Sequence, residues 1–352
     1  MDINGLNLSD EDLRIVANTS QFYEALLVAM REAQALPERM SWKTVSGADY
    51  LYEWRREAGQ PKSRGRRSAE TEALFSRFTS ERVAADERIA SISARMASSL
   101  AQYRALRLPQ IMELPARILR ELDLRGDLGV NLIVVGTNAF AAYEIEARER
   151  FARGLDETEA FDLGWCRGAS IALQPAEVRT GRLVGSPLFS ALKKVDSSFR
   201  LNKARPYQAI NNNGYEVELL TAPSVMKTLS ASEVFSTAAI PEQEWLLLGR
   251  PLRHVVCARD GTPAPLVVPD PRWMGLHKLW LAKKPTRRAD KKDKDARQGE
   301  LLLSAVARKM TPAYPMDVDF VLSLPAELLD EFNAWAARNK FVPGKTGARQ
   351  WW

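Results

Sequence analysis

Residues 131–165, NLIVVGTNAFAAYEIEARERFARGLDETEAFDLGW, constrain the fold more than any other stretch of the chain. Leu132-Ile133-Val134-Val135 is a short apolar run, β-branched at its centre and closed by Gly136, and it predicts a buried strand. Gly136-Thr137 is a tight turn with little side-chain bulk. Asn138 is a suitable N-cap, and residues 139–151 predict a helix. Ala160-Phe161-Asp162-Leu163 predicts a second strand. Strand, small-residue turn, helix and then an acid on the next strand suit a nucleoside triphosphate and its metal ion. Backbone N–H groups at the turn and helix start can face phosphate oxygens, and the neighbouring carboxylate can hold magnesium.

The rest of the composition narrows the class. A chain of 352 residues has room for two or three modest domains, and 45% hydrophobic with 27% charged residues fits a globular protein. No apolar run approaches the roughly 20 residues that span a bilayer, so no membrane contact is expected. The opening MDINGLNLSDEDLR is polar and acidic, unlike a secretory signal. Cys166 and Cys257 lack metal-ligand spacing and predict reduced, buried thiols in a cytoplasmic protein. With only His254 and His277, a histidine-rich metal centre is excluded. Charge is uneven: residues 283–297, KKPTRRADKKDKDAR, hold eight basic residues against three acids, net +5 of the whole +6. Such a strip suits the phosphates of a triphosphate or of RNA; the plainer reading is a solvated helix face.

Along the chain, residues 13–32 have helical periodicity. Residues 45–57, VSGADYLYEWRRE, and the basic linker GQPKSRGRRS read either as an exposed helical hairpin or as a Tyr/Arg surface that touches nucleic acid. Residues 68–106 predict a long helix and residues 112–124 another. Ser170-Ile171-Ala172-Leu173 predicts a continuation of the sheet. Residues 187–193 predict a short helix, and residues 205–213 a polar connection. Residues 215–220 alternate as a strand, and period two puts Glu216 and Glu218 on one face. Two acids on one face of a core strand are costly to bury, which favours a metal-facing role over plain exposure. Residues 245–248, 254–258 and 266–268 predict strands that complete the sheet. A helix over 273–282, further helices through 339 and a loose tail ending in Trp351-Trp352 follow.

These motifs resemble the nucleotidyltransferase fold of the polymerase-beta type, and within it a bacterial family related to AbiEii-type abortive-infection toxins. Gly136, Thr137, Ala139, Ala142, Tyr143 and Glu144 match its first motif, and Thr158, Asp162 and Leu163 its acid strand. Lys194-Val195-Asp196-Ser197-Ser198-Phe199 resembles a further segment. Pro269-Asp270-Pro271, His277-Lys278, Arg287, Lys291, Lys294 and Asp295 follow in the family's order. One position departs: the family's first aspartate falls on Ala160. Residues 160 and 162 share a strand face, where two carboxylates would bridge a pair of magnesium ions, and alanine offers no oxygen.

The resemblance implies an α+β fold: a nucleotidyltransferase core of mixed sheet with helices over 126–270, flanked by an N-terminal helical region, 1–125, and a C-terminal one, 271–352. It implies a magnesium-dependent transfer of NMP from an NTP to a hydroxyl acceptor. Position 160, here Ala160, would join Asp162 and Glu218 as the catalytic set, with Asp162 and Glu218 on the metal and Glu216 as the fallback ligand. Gly136, Thr137 and Asn138 would cradle the triphosphate, and Lys278 with Arg287 would neutralise it. The implied acceptor is RNA, transfer RNA first, with a protein hydroxyl or a small molecule left open. The implied setting is a toxin or phage-defence system with an antitoxin protein as partner. Ala160 leaves two readings: an engineered inactive variant, favoured because the rest of the motif is intact, or a natural protein that binds nucleotide or RNA without chemistry.

Overall fold

The computed structural model describes residues 6–55, 59–151, 160–165, 187–226 and 238–344. The chain divides into two compact units, Ala17–Gln102 and a larger one made of Met1–Val16 with Tyr103–Trp352. In chain order the strands are β1 Leu6–Asn7, β2 Arg39–Val45, β3 Ala48–Trp54, β4 Lys62–Arg66, β5 Gln110–Ile111, β6 Leu132–Val134 and β7 Glu149–Arg150. Then come β8 Ala160–Trp165, β9 Arg200–Asn202, β10 Arg205–Ile210, β11 Glu216–Thr221, β12 Ala238–Ala239, β13 Leu252–Ala258 and β14 Pro263–Val268.

The smaller unit departs from the sequence expectation. Between the Asp10–Ala35 and Ala69–Ala105 helices, β2, β3 and β4 form an antiparallel sheet, not a helical hairpin. Ser46 and Gly47 turn the β2–β3 hairpin with φ of 50° and 76°, the paired positive values of the tight turn that matches strand twist. Met40, Leu51 and Glu53 are buried on one face of the sheet. The basic stretch read as a linker supplies β4. Within this unit Thr19 Oγ1 meets Ser99 Oγ at 2.8 Å, so the buried hydroxyls satisfy each other.

The larger unit is organised on a mixed sheet of order β6-β8-β11-β10-β9, with β12 paired to the second half of β11. β8 and β11 run parallel, with Phe161 opposite Val217 and Leu163 opposite Leu219. Those four side chains are fully buried. Period two therefore turns Asp162, Glu216 and Glu218 to the other face. The expected single sheet is two sheets: β13 and β14 pair with β5 as a separate three-stranded sheet. Residues 245–248 are not a strand; Pro241–Leu247 is a 3-10 helix, opened by a proline whose fixed φ suits that place. The polar connection at 205–213 is largely β10.

The first motif also folds more tightly than expected. Gly136–Ala139 is a 3-10 turn, and the α-helix runs only over Phe140–Ala147. Arg148 ends that helix with φ 53°, and Glu144 accepts from Phe151 N at 2.6 Å beyond it. Asn138 lies inside the 3-10 turn and is the N-cap of neither it nor the following helix. Asp270 does cap the Pro271–Lys283 helix, accepting from Arg272 N at 2.9 Å. That helix packs on Ala289–Ala305 through two glycines. A Cβ on Gly275 would sit 2.8 Å from Leu303 Cγ, and one on Gly299 would sit 2.8 Å from the Gly275 carbonyl oxygen. Thr158, the 170–173 segment, Cys166, Trp351 and Trp352 lie outside the described residues.

Candidate active site

The β8–β11 register builds the carboxylate pair. Asp162 lies directly beside Glu218, and the backbone of Ala160 lies beside that of Glu216. Gln208, fully buried on β10, donates from Nε2 to Glu216 Oε2 at 2.8 Å and to Glu218 Oε1 at 3.1 Å. One amide thereby aims two glutamates at the same space. The 136–137 turn closes on this pair. Gly136 has φ +72°, and a Cβ there would fall 2.6 Å from Asp162 Oδ2. Glycine is required twice over, by the left-handed backbone and by the carboxylate. The Asp162 carbonyl accepts from Val135 N at 3.1 Å, fixing the strand end that presents the turn.

A set of cations lines the same space. Lys278 is 3% exposed and donates to Asp295 Oδ1 at 2.7 Å. Arg287 donates from Nε to Asp295 Oδ2, also at 2.7 Å. One buried carboxylate therefore positions both predicted phosphate-binding cations. The close helix packing at Gly275 and Gly299 brings the helix of Lys278 against that of Asp295. Gln298, one turn beyond Asp295, donates to Thr137 Oγ1 at 3.4 Å, tying this helix to the turn.

Asp162, Glu216, Glu218, Gly136, Thr137, Lys278 and Arg287 all line one cavity of about 1020 Å³. Arg205, Lys284, Arg288, Lys291 and Lys294 line it too, so much of the basic strip faces this space. Asn138 does not line it: the turn buries that side chain. Three residues that position the cleft's side chains are given no role by the sequence. Gln208 sits in a stretch with no local signal. Asp295 was visible as a motif match without a role. Gln298 followed it by one turn.

The electrostatics fit a site for a charged ligand. Burial and then the Glu218 charge push the Asp162 carboxyl up to about 6, and Lys278 only partly counters them. Burial pushes the Lys278 ammonium below its ordinary value despite Asp295. Burial drives His277 down to about 3, so its ring is neutral at physiological pH. His277 Nδ1 is buried with no hydrogen-bond partner among the described residues, and the ring lies edge-on to Trp245 at 6.3 Å. Among the described residues, no group of three or more His, Cys, Asp or Glu could hold a metal by itself.

A protein family described as nucleotidyltransferase matches residues 113–319, more than half the chain. The chain belongs to that family. No curated protein and no solved structure matches it. Nucleotidyl transfer is thus the class of activity attached to the domain that holds this cleft. The matched region begins at the Glu113–Arg125 helix and ends at Asp319, so it takes in every cleft residue discussed above. Among the described residues no helix is long and apolar enough to cross a membrane.

Proposed function

We propose that this cleft binds a nucleoside triphosphate with a magnesium ion and directs transfer of NMP to a hydroxyl acceptor. The observation that carries the reading is the side-by-side placement of Asp162 and Glu218, against the Gly136 turn, in a cavity also lined by Lys278 and Arg287. The donor set fits the ion. Oxygen ligands alone suit magnesium, which is commonly held by one or two carboxylates with phosphates and waters completing the shell. A divalent charge also offsets the mutual cost of two neighbouring carboxylates that raises Asp162.

Asp162 and Glu218 would hold the ion, and Glu216 is the remaining carboxylate on that face. When bound, the ion would neutralise triphosphate oxygens and orient the reacting groups. Gln208 keeps both glutamates pointed inward. Lys278 and Arg287, pre-set by Asp295, take up charge on the phosphates without moving. The N–H groups of the 136–137 turn would meet a phosphate oxygen. Ala160 removes the carboxylate that a second ion would share. Transfer by this chain is therefore slow, and Ala160→Asp raises it by about hundredfold or more, the scale of several kcal/mol of charge stabilisation.

The acceptor we assign is an RNA hydroxyl, transfer RNA first, by the resemblance to toxin families. One observation favours a second reading: with Ala160 the site is suited to holding nucleotide without turnover, as a regulator. The two part in one experiment. Purified parent and Ala160→Asp proteins are incubated with labelled NTPs, magnesium and total RNA. Magnesium-dependent label in RNA with Ala160→Asp supports transfer. Tight nucleotide binding with no label in RNA or protein supports the regulator, and absence of nucleotide binding by either protein refutes both. Growth arrest on expressing Ala160→Asp, relieved by a neighbouring gene, would support a toxin with an antitoxin partner.

A further inference from the structure

The sheet of the smaller unit has one face that its fold does not use. Cross-strand register puts Arg39 beside Trp54, Ser41 beside Tyr52, and Lys43 beside Tyr50. It also puts Arg66 beside Tyr50 and Ser63 beside Tyr52. Period two along β2 and β3, with a bulge in β4 between its partners of Leu51 and Tyr52, gathers all of these on one face, while Met40, Leu51 and Glu53 are buried on the other. The open face holds three cations, three aromatic rings and two serines, with no acid. Arg39, Lys43 and Arg66 are exposed, and the three rings are partly exposed.

The nearby acids are already matched elsewhere. Glu53, on the buried face, pairs with Arg55 and Arg64. Asp49 takes Thr44 at 2.7 Å and Arg67 at 3.4 Å. Among the described residues no carboxylate pairs with Arg39, Lys43 or Arg66. Residues 39–67 hold eight basic residues against three acids, a net +5 within a chain of net +6. The cations lie over the rings: the Arg39 guanidinium is 4.9 Å from the Trp54 centroid, and Lys43 Nζ is 5.0 Å from Trp54 and 5.3 Å from Tyr52.

We propose that this face binds single-stranded nucleic acid. Alternate residues of a strand stand about 6.6 Å apart, so Tyr50, Tyr52 and Trp54 form a row that unstacked bases can occupy one by one. Arg39, Lys43 and Arg66 flank the row and can turn from ring to phosphate. Paired bases in a duplex keep their faces stacked on each other, so a duplex offers this row nothing to stack on. An acidic peptide would use the cations and leave the rings idle. The proposal stands apart from nucleotide transfer, because it needs no group of the cleft.

The test titrates the full chain into fluorescently labelled RNA or DNA strands of about 12 nucleotides and reads anisotropy between about 50 and 200 mM salt. Tyr52→Ala and Trp54→Ala should each weaken binding about fivefold or more, and Trp54→Phe should keep most of it. Lys43→Ala and Arg66→Ala remove exposed side chains, so folding is not at issue. Each should lower the log–log salt slope by about 0.7 and leave nucleotide binding by the cleft unchanged. Binding of either an RNA or a DNA strand with this variant pattern supports the proposal. Parent-like binding by the ring variants overturns it. So does stronger competition by a duplex or a poly-glutamate peptide than by an unlabelled single strand.

Discussion

Gly136→Ala tests the contact between the turn and the carboxylate strand. Two penalties add. At φ +72° an L side chain costs about 1–2 kcal/mol. The new Cβ would also lie 2.6 Å from Asp162 Oδ2, and overpacking of that kind costs about 1–3 kcal/mol. The variant should therefore lose about 2–5 kcal/mol. In an Asp162→Ala background, the nearest remaining atom of residue 162 is Cβ at 3.6 Å, an ordinary contact. There the penalty should fall to the backbone part alone, about 1–2 kcal/mol. Urea unfolding of the four proteins gives the cycle, with a coupling of about 1–3 kcal/mol between the two positions. An equal penalty in both backgrounds would refute the placement of Asp162 against the turn, and no penalty in either would refute the left-handed turn itself.

Other expectations follow from the same site. The Asp162 carboxyl is raised from 3.8 to about 6, so its charge destabilises the ligand-free protein fully above about pH 6 and not below about pH 4. Asp162→Asn should then be more stable than the parent by about 3 kcal/mol at pH 8, with the gain shrinking as pH falls from 6 towards 4; thermal melts at pH 8 and pH 5 check this, and a constant difference would count against it. Asp295→Asn leaves Lys278 and Arg287 facing each other without their shared carboxylate, and should destabilise by about 3–5 kcal/mol while weakening nucleotide binding, as calorimetry would record. Glu216→Gln should weaken magnesium-dependent nucleotide binding less than Glu218→Gln does, because Asp162 lies beside Glu218 and Ala160 beside Glu216; a fluorescent nucleotide titration ranks the two.

Much of the larger unit was legible because its signals are local. Leu132–Val134 is an unbroken apolar run, Glu216–Thr221 alternates with period two, and Gly136 marks a turn that no other residue fits. The facing of Asp162 and Glu218 follows from period two once their strands pair, but the pairing is a long-range event that no local pattern encodes. The smaller unit was misread for a different reason. Met40 and Leu51 are the buried apolar residues of its strands, Glu53 is buried on the same face, and Tyr50, Tyr52 and Trp54 lie on the other, so hydrophobic periodicity is weak there. The Ser46-Gly47 dipeptide between alternating runs was the available signal. Trp245-Leu246-Leu247 looks like a strand by composition, yet Pro241 starts a 3-10 helix through it. Gln208 and Asp295 were out of reach as positioning residues. Their importance comes from what they hold, Glu216 with Glu218 and Lys278 with Arg287, and only the folded chain brings those partners to them.

The most direct test of the cleft is electron paramagnetic resonance of manganese, standing in for magnesium, titrated with the protein in the presence and absence of ATP. The cleft should bind one ion with nucleotide, lose it in an Asp162→Asn/Glu218→Gln double variant, and gain a second in Ala160→Asp. Equal manganese binding by the parent and the double variant, with or without nucleotide, would contradict this.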